Sequence, residues 1–161
     1  MMGKTHMAFG LFLGLLCLPL LQPRNSLLFL SLAVFAALIP DIDSPDSKLG
    51  RKVVPLSHIF KFVFGHRGFF HSIFFPVLMF AGVLGIAFYS QAGYVYAYAV
   101  LIGALSHIFI DAITIEGVNL LSPVSRFRVA GFIKTNSLME LAVFVFLTVS
   151  CVVILVGVWF S

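Results

Sequence analysis

Six residues with metal-ligating side chains interrupt a sequence that is otherwise strongly apolar. Three are imidazoles and three are carboxylates, namely His6, His71, His107, Asp41, Asp43 and Asp111. Ionisable side chains are costly inside a lipid bilayer, so by default they mark a functional site there. A mixture of imidazole and carboxylate groups is also the donor set of hydrolytic metal centres. These residues are therefore the candidate metal ligands.

Two short motifs contain four of these ligands. His107 and Asp111 form an HxxxD motif, and residues four apart share one helix face, so the pair can bind one metal or two adjacent metals. A His–Asp hydrogen bond inside a helical bundle is the structural alternative. Asp41 and Asp43 form a DxD motif, although Asp is also a common turn residue. Two close carboxylates repel each other at a membrane edge, and a divalent cation removes that cost.

Residues 66–72, HRGFFHS, contain side chains that could bind phosphate and transfer a proton. Gly68 permits a turn, after which His71 is expected in the first turn of a helix, where anions are favoured. Arg67 offers a bidentate fork for phosphate oxygens, and His66 can stabilise those oxygens or protonate a leaving group. His66 and Arg67 are therefore the candidate catalytic residues. The alternative is that Arg67 is a cytoplasmic-face anchor and His66 a surface residue.

The composition indicates the environment of these groups. The chain has 161 residues, of which 61% are hydrophobic and 10% are charged. A soluble domain carries roughly 25% charged residues, so an integral membrane protein is predicted, with one domain over residues 1–161. The formal net charge of +4 resides in loops and forms no basic stripe, so nucleic-acid binding is not expected.

Five apolar segments predict an all-α bundle of about five transmembrane helices. Their approximate bounds are 7–21, 26–39, 69–89, 94–115 and 138–160. The first two are short for a full span, which needs ~17–25 residues, and are expected to form a tilted or buried hairpin. An apolar piece at 53–64, between the second and third segments, is expected to lie at the membrane interface. Ser137 and Glu140 have the capping-box spacing at the start of the fifth segment.

The distribution of Lys and Arg predicts the orientation in the membrane. If all five segments cross, nine of the ten basic residues fall on one face and only Arg24 on the other. The basic face is expected to be cytoplasmic, with the N-terminus inside and the C-terminus outside the cell membrane. The same threading brings all six candidate ligands and His66 to that face. This convergence predicts a single site, because the topology was set by Lys and Arg alone.

Taken together, the motifs resemble those of a known family. The matching residues, in order, are Thr5 and His6, PDID at 40–43, HRG and HS within 66–72, His107 and Asp111, Thr114, Gly117, and LSP at 121–123. The chain looks like a member of the YdjM-like inner-membrane family of metal-dependent hydrolases, some of whose bacterial members are described as LexA-regulated. The resemblance covers nearly the whole chain. Phe70 departs from it, since many members are expected to have Thr there, but this change leaves the ligands intact.

The ligand order is also similar to that of the all-helical zinc-dependent phospholipase C and nuclease group, a likeness of pattern across different folds. Imidazole-rich ligation favours zinc, whereas the carboxylates leave manganese and magnesium open. The predicted function is a membrane-bound phosphoesterase that acts on a lipid or a membrane-associated substrate. The alternatives are a metal-ion or proton transporter, whose site would lie near the bilayer midplane, and a noncatalytic scaffold with a structural metal.

Overall fold

The helices of this protein form one bundle around a central helix. A computed structural model describes residues 1–43, 68–91, 93–125 and 127–160. Its α-helices are α1 (Gly3–Leu21), α2 (Ser26–Ala36), α3 (Phe74–Ser90), α4 (Val95–Ala112) and α5 (Leu138–Phe160). Two 3₁₀ turns, Ile39–Asp43 and Phe69–His71, follow α2 and precede α3 respectively. The predicted all-α membrane fold is confirmed.

The helices differ in whether they can span a bilayer. Among the described residues, α1, α4 and α5 are long and apolar enough to cross a membrane. The 11 residues of α2 and the 17 of α3 extend about 17 and 26 Å, against a hydrocarbon core of about 30 Å. The predicted third segment is therefore shorter than expected, because residues 69–71 form a separate 3₁₀ turn. The predicted interfacial piece at 53–64 lies outside the described residues.

Close helix crossings bring α2 against the half of α4 that carries the HxxxD motif. A methyl group added at Gly103 of α4 would lie 2.1 Å from the carbonyl oxygen of Ala33 in α2. One added at Gly10 of α1 would lie 2.8 Å from the Cβ of Ala37. Small residues are favoured at such crossings because helices in a membrane associate largely through close packing. Since Gly103 lies one turn before His107, this crossing places the end of α2 beside His107.

The bundle presents an apolar surface on its outside. Large apolar side chains are exposed along α3 and α5, including Val77, Phe88, Phe146 and Val153. A soluble protein rarely exposes contiguous apolar surface of this kind. Together with the three helices that are long and apolar enough to cross a membrane, this surface fits a bundle surrounded by a lipid bilayer.

The segment between α4 and α5 is folded rather than an open polar loop. The strands β1 (Val118–Asn119) and β2 (Arg128–Val129) pair antiparallel. The N–H of Ile73 donates to the carbonyl oxygen of Leu120 at 2.9 Å, which ties the segment to the start of α3. The segment therefore connects the end of α4 with the 3₁₀ turn that carries His71.

Candidate metal centre

Five of the six predicted ligands meet at one end of the bundle. His6 lies in α1, Asp41 and His71 lie in the two 3₁₀ turns, and His107 and Asp111 lie in α4. Four of the five side chains are at most 1% exposed, namely His6, His71, His107 and Asp111. The Asp41 side chain is 17% exposed and forms the rim of the cluster. The predicted convergence of these five side chains is therefore observed.

The side chains of the other three predicted site residues lie outside the described part of the structure. Asp43 ends the first 3₁₀ turn, two residues after Asp41, and its side chain lies outside the described part of the structure. His66 and Arg67 directly precede Gly68, where the described chain resumes. The ligand role of Asp43 and the catalytic roles of His66 and Arg67 stay predictions.

Two carboxylate oxygens lie close to a pair of imidazole nitrogens. The Nε2 atoms of His71 and His107 lie 3.2 Å apart. Each of them lies 3.8 Å from Oδ1 of Asp41 and 3.7 Å from Oδ2 of Asp111. In a tetrahedral zinc site with bonds of ~2.0–2.1 Å, neighbouring ligand atoms are about 3.3 Å apart. The donor types and their spacing therefore fit an ion of the size of zinc.

A backbone hydrogen bond fixes the orientation of His107. Its Nδ1 lies 2.8 Å from the carbonyl oxygen of Ala37, at the end of α2. A carbonyl oxygen can only accept, so Nδ1 carries the proton and donates, and Nε2 directs its lone pair into the cluster. Metal-ligating histidines are commonly held in one tautomer by such a bond. The close crossing of α2 and α4 thus fixes the His107 ring with Nε2 facing the cluster.

His6 and His107 are stacked beside the cluster. Their ring centroids are 3.8 Å apart and their planes differ by 9°. His6 Nε2 lies 3.4 Å from Oδ1 of Asp111 and 3.2 Å from the carbonyl oxygen of Met1. His6 Nδ1 is buried and has no hydrogen-bond partner among the described residues. The amino group of Met1 also contacts Oδ1 of Asp111. Asp111 therefore presents one oxygen to His6 and the other to the His71–His107 pair.

The charge of Asp41 follows from its surroundings. Burial alone would raise the pKa of this carboxyl group, but positive charge on His107 and a hydrogen bond from His71, both present when these imidazoles are protonated, hold the pKa below its usual value. Asp41 is therefore ionised near neutral pH. The ionised carboxylate is the form that binds a metal ion.

The sequence matches a known protein family along nearly its whole length. The family model of the YdjM inner membrane protein matches residues 1–160. The chain belongs to the YdjM family. It is 34% identical over 155 residues to the uncharacterized protein YvsG of Bacillus subtilis (strain 168), covering 93% of this chain and 91% of YvsG. The family resemblance predicted from the motifs is confirmed.

The YdjM proteins themselves share a shorter region with this chain. The inner membrane proteins YdjM of Escherichia coli (strain K12) and of Shigella flexneri are each 38% identical over 103 residues. That region covers 60% of this chain and 50% of each YdjM protein, so the chain matches about half of their length. No solved structure matches this YdjM-family chain. Membership of the family, with three spanning helices, supports location in an inner membrane.

A buried carboxylate outside the predicted ligand set positions His6 in this YdjM-family protein. Glu140 of α5 is fully buried. Its Oε1 accepts hydrogen bonds from the Met2 N–H at 2.6 Å and from the Thr5 hydroxyl at 2.8 Å. Thr5 directly precedes His6, so Glu140 fixes the first turn of α1. In the sequence, Glu140 stands out only as an acidic residue at the start of a long apolar helix.

The capping prediction for the same residue is partly confirmed. The N–H of Glu140 donates to Oγ of Ser137 at 3.3 Å, as in a capping box. The Glu140 side chain, however, accepts from the N–H of Asn136 at 2.6 Å, in addition to its bonds to α1. Glu140 therefore joins the starts of α1 and α5 rather than capping α5 alone.

Thr114 secures the end of α4, one turn beyond Asp111. Its hydroxyl donates to the carbonyl oxygen of Asp111 at 2.7 Å and accepts from the N–H of Gly117 at 3.1 Å. Gly117 has a φ of 58°, in the left-handed region that favours glycine. Both residues belong to the pattern that carried the family resemblance. Their function here is to hold the helix end that bears Asp111.

Proposed function

We propose that this YdjM-family protein is a membrane-bound, metal-dependent hydrolase that cleaves a phosphoester of a lipid or of a membrane-associated substrate. The observation that carries the proposal is the pair of imidazole nitrogens of His71 and His107, which lie 3.2 Å apart and each 3.7–3.8 Å from an oxygen of Asp41 and an oxygen of Asp111. Zinc suits the imidazoles best, and the carboxylates also accept manganese or magnesium. A divalent ion would offset the cost of burying two carboxylates in a membrane protein.

Different residues would bind the metal, hold the phosphate and supply a proton. A divalent metal, when bound, supplies Lewis acidity that polarises a phosphoryl oxygen and acidifies water near neutral pH. His107 is held as a ligand by the Ala37 carbonyl group, and Asp111 is held by the Thr114 turn. Arg67 would bind the phosphate oxygens through its guanidinium fork, and His66 would give a proton to the leaving oxygen. Both precede His71 by only a few residues in the sequence.

The depth of the cluster supports hydrolysis rather than transport. Because α4 ends at Ala112, Asp111 lies one residue and His107 five residues from the helix end. These positions are about 1.5 and 7.5 Å along the helix axis. The middle of the hydrocarbon core is ~15 Å from either edge, and transport sites tend to lie there between repeated halves. With the end of α4 at the membrane surface, a cluster near that end would lie close to the level of headgroup phosphates.

The orientation proposed from the basic residues supports the same function. With the N-terminus inside, the cluster faces the cytoplasm, together with nine of the ten Lys and Arg residues. Basic residues near a membrane surface attract anionic lipids and other phosphorylated molecules. A phosphoester substrate would therefore be concentrated at this face.

One observation favours a second candidate, a scaffold with a structural metal. Structural zinc sites have four protein ligands, whereas catalytic sites commonly have three and keep an open position. The cluster around His71 and His107 already contains four donors. The hydrolase proposal therefore needs a coordination position that these four donors do not fill.

The proposal is tested on the full chain purified without a metal-affinity tag. Cleavage of phospholipid vesicles and of a chromogenic phosphodiester is measured before and after chelation, and after zinc is returned. We expect cleavage that disappears on chelation and recovers with zinc. His107→Ala should abolish it, whereas His58→Ala, which replaces a histidine of the predicted interfacial piece at 53–64 and outside the candidate ligand set, should not. Metal-dependent ion flux into sealed vesicles, without cleavage of either substrate, would favour a transporter instead.

A further inference from the structure

We propose that the centre holds two metal ions bridged by the carboxylate of Asp111, with His6 as a ligand of the second ion. This inference rests on the proposed metal-dependent function and adds a second site to it. His71, His107, Asp41 and Oδ2 of Asp111 would bind the first ion. His6 and Oδ1 of Asp111 would bind the second.

The first support is the way Asp111 faces its neighbours. Its Oδ2 lies 3.7 Å from the Nε2 atoms of both His71 and His107, whereas its Oδ1 lies 3.4 Å from Nε2 of His6. The two oxygens of one carboxylate are therefore directed at different imidazoles. This is the arrangement expected of a bridging carboxylate in a two-metal site, where the ions are ~3.5–4 Å apart.

The second support is the number of donors, because His6 is one more than a single tetrahedral ion requires. Oxygens of Asp41 and Asp111 already lie within 3.8 Å of both His71 and His107, and zinc in a protein usually takes four ligands. His107 can bind only one ion, because its Nδ1 donates to the Ala37 carbonyl oxygen. His6 nevertheless groups with Asp41 and His107 closely enough for a metal ion. His6 is thus a fifth donor, one more than a tetrahedral ion needs, and its contact with Oδ1 of Asp111 makes it available to a second ion.

The third support is the hydrogen bonding of His6. Its Nε2 faces two oxygen atoms, the Met1 carbonyl oxygen and Oδ1 of Asp111, while its buried Nδ1 has no partner in the described structure. No protonation state satisfies both ring nitrogens with these neighbours. Buried polar groups are normally paired, and an unpaired one is costly. When Nδ1 carries the proton, the lone pair of Nε2 faces two oxygen atoms, and a metal ion bound between Nε2 and Oδ1 of Asp111 would remove that repulsion.

The two ions would differ in how many protein donors each one has, and therefore in whether substrate can bind to it. The first ion would be held by up to four protein donors, a full set for zinc. The second has few donors among the described residues, which leaves positions for substrate and solvent. The open position that the hydrolase proposal needs would thus be on the His6 side. The competing arrangement has a single metal, with the Met1 amino group, which contacts Oδ1 of Asp111, supplying the second positive charge.

Metal stoichiometry tests the inference separately from catalysis. The untagged full chain is loaded with zinc, freed of loose metal by gel filtration and measured by elemental analysis. We expect two ions per chain in the unchanged protein and in His58→Ala, but one in His6→Phe. Phenylalanine keeps an aromatic ring for stacking on His107 and lacks the nitrogens. Retention of one ion, with an unchanged thermal midpoint before loading, shows that the His6→Phe chain is folded.

Manganese loading gives an independent readout. Two ions bridged by one carboxylate should give a spin-coupled electron paramagnetic resonance spectrum, and His6→Phe should give the spectrum of an isolated ion. Asp111→Asn should abolish the coupling. One ion per chain in both the unchanged protein and His6→Phe would overturn the second site but leave the proposed function standing. No retained metal in the unchanged protein would overturn the proposed function itself.

Discussion

The Nε2 atoms of His71 and His107 lie 3.2 Å apart, although the two residues are 36 positions apart in the chain. Since His107 donates from Nδ1 to a carbonyl oxygen, its Nε2 has a lone pair directed at His71. Two carboxylates border the same space. Either a proton or a shared cation must lie between the two nitrogens, and a divalent cation also balances the carboxylates. This pair is the part of the site that best fits a metal ion.

Removal of a ligand from this pair should remove metal. We expect His71→Ala to lower the metal content by at least one ion per chain, because the four-donor shell loses an imidazole. His107→Ala and Asp43→Ala are expected to lower it as well. Elemental analysis of untagged protein measures the change, with His58→Ala as the control. Full metal content in a folded His71→Ala protein would exclude this residue as a ligand.

Arg67→Ala should separate turnover from metal binding. A guanidinium group does not ligate metals but can hold phosphate oxygens, so metal content should stay unchanged. Loss of one preorganised donor to a phosphoryl group is expected to lower kcat by about 10²–10³-fold. Arg67→Lys should recover little, since lysine lacks the bidentate fork, and Arg24→Ala should retain the activity of the unchanged protein. An Arg67→Ala protein with full activity would remove this residue from the mechanism.

Glu140→Gln should weaken both the fold and the placement of His6. Glutamine has one carbonyl oxygen where glutamate has two acceptor oxygens, so it cannot serve all three donors from α1 and the start of α5. A buried donor left unmatched costs about 1–3 kcal/mol. Thermal unfolding in detergent should therefore show a lower midpoint, while Glu116→Gln, at an exposed carboxylate, should change it little. Equal midpoints for the two variants would show that Glu140 does not hold α1 in place.

A C-terminal reporter tests the proposed orientation. If all five helices cross, a periplasm-dependent phosphatase fused after α5 should be active and a cytoplasm-dependent fluorescent reporter should be dark. The opposite pattern would mean that one short helix does not cross. The 11 residues of α2 make it the first helix to examine in that case.

The residues of the cluster could be predicted from sequence because they interrupt apolar segments. His107 and Asp111 share a helix face by spacing alone, and basic residues predicted which helix ends lie together. The boundary of α2 was less predictable, since the apolar run continues to Ile39 whereas the α-helix ends at Ala36 and a 3₁₀ turn follows. That turn matters because it carries Asp41 into the cluster.

The supporting contacts could not be predicted in the same way. The bond between Thr5 and Glu140 joins residues 135 positions apart, and nothing in either local sequence indicates that α1 and α5 begin side by side. The strands β1 and β2 have only two residues each, too few for a periodic pattern. These features depend on helix packing, so they become visible only once the bundle is assembled.

X-ray absorption at the zinc edge of purified, untagged protein tests the central claim most directly, that the buried His and Asp cluster is a metal centre. The account predicts retained zinc with nitrogen and oxygen neighbours at ~2.0–2.2 Å, outer-shell scattering from imidazole rings, and loss of that scattering in His71→Ala. Zinc with sulfur neighbours, or protein that retains no metal after zinc loading, would contradict it.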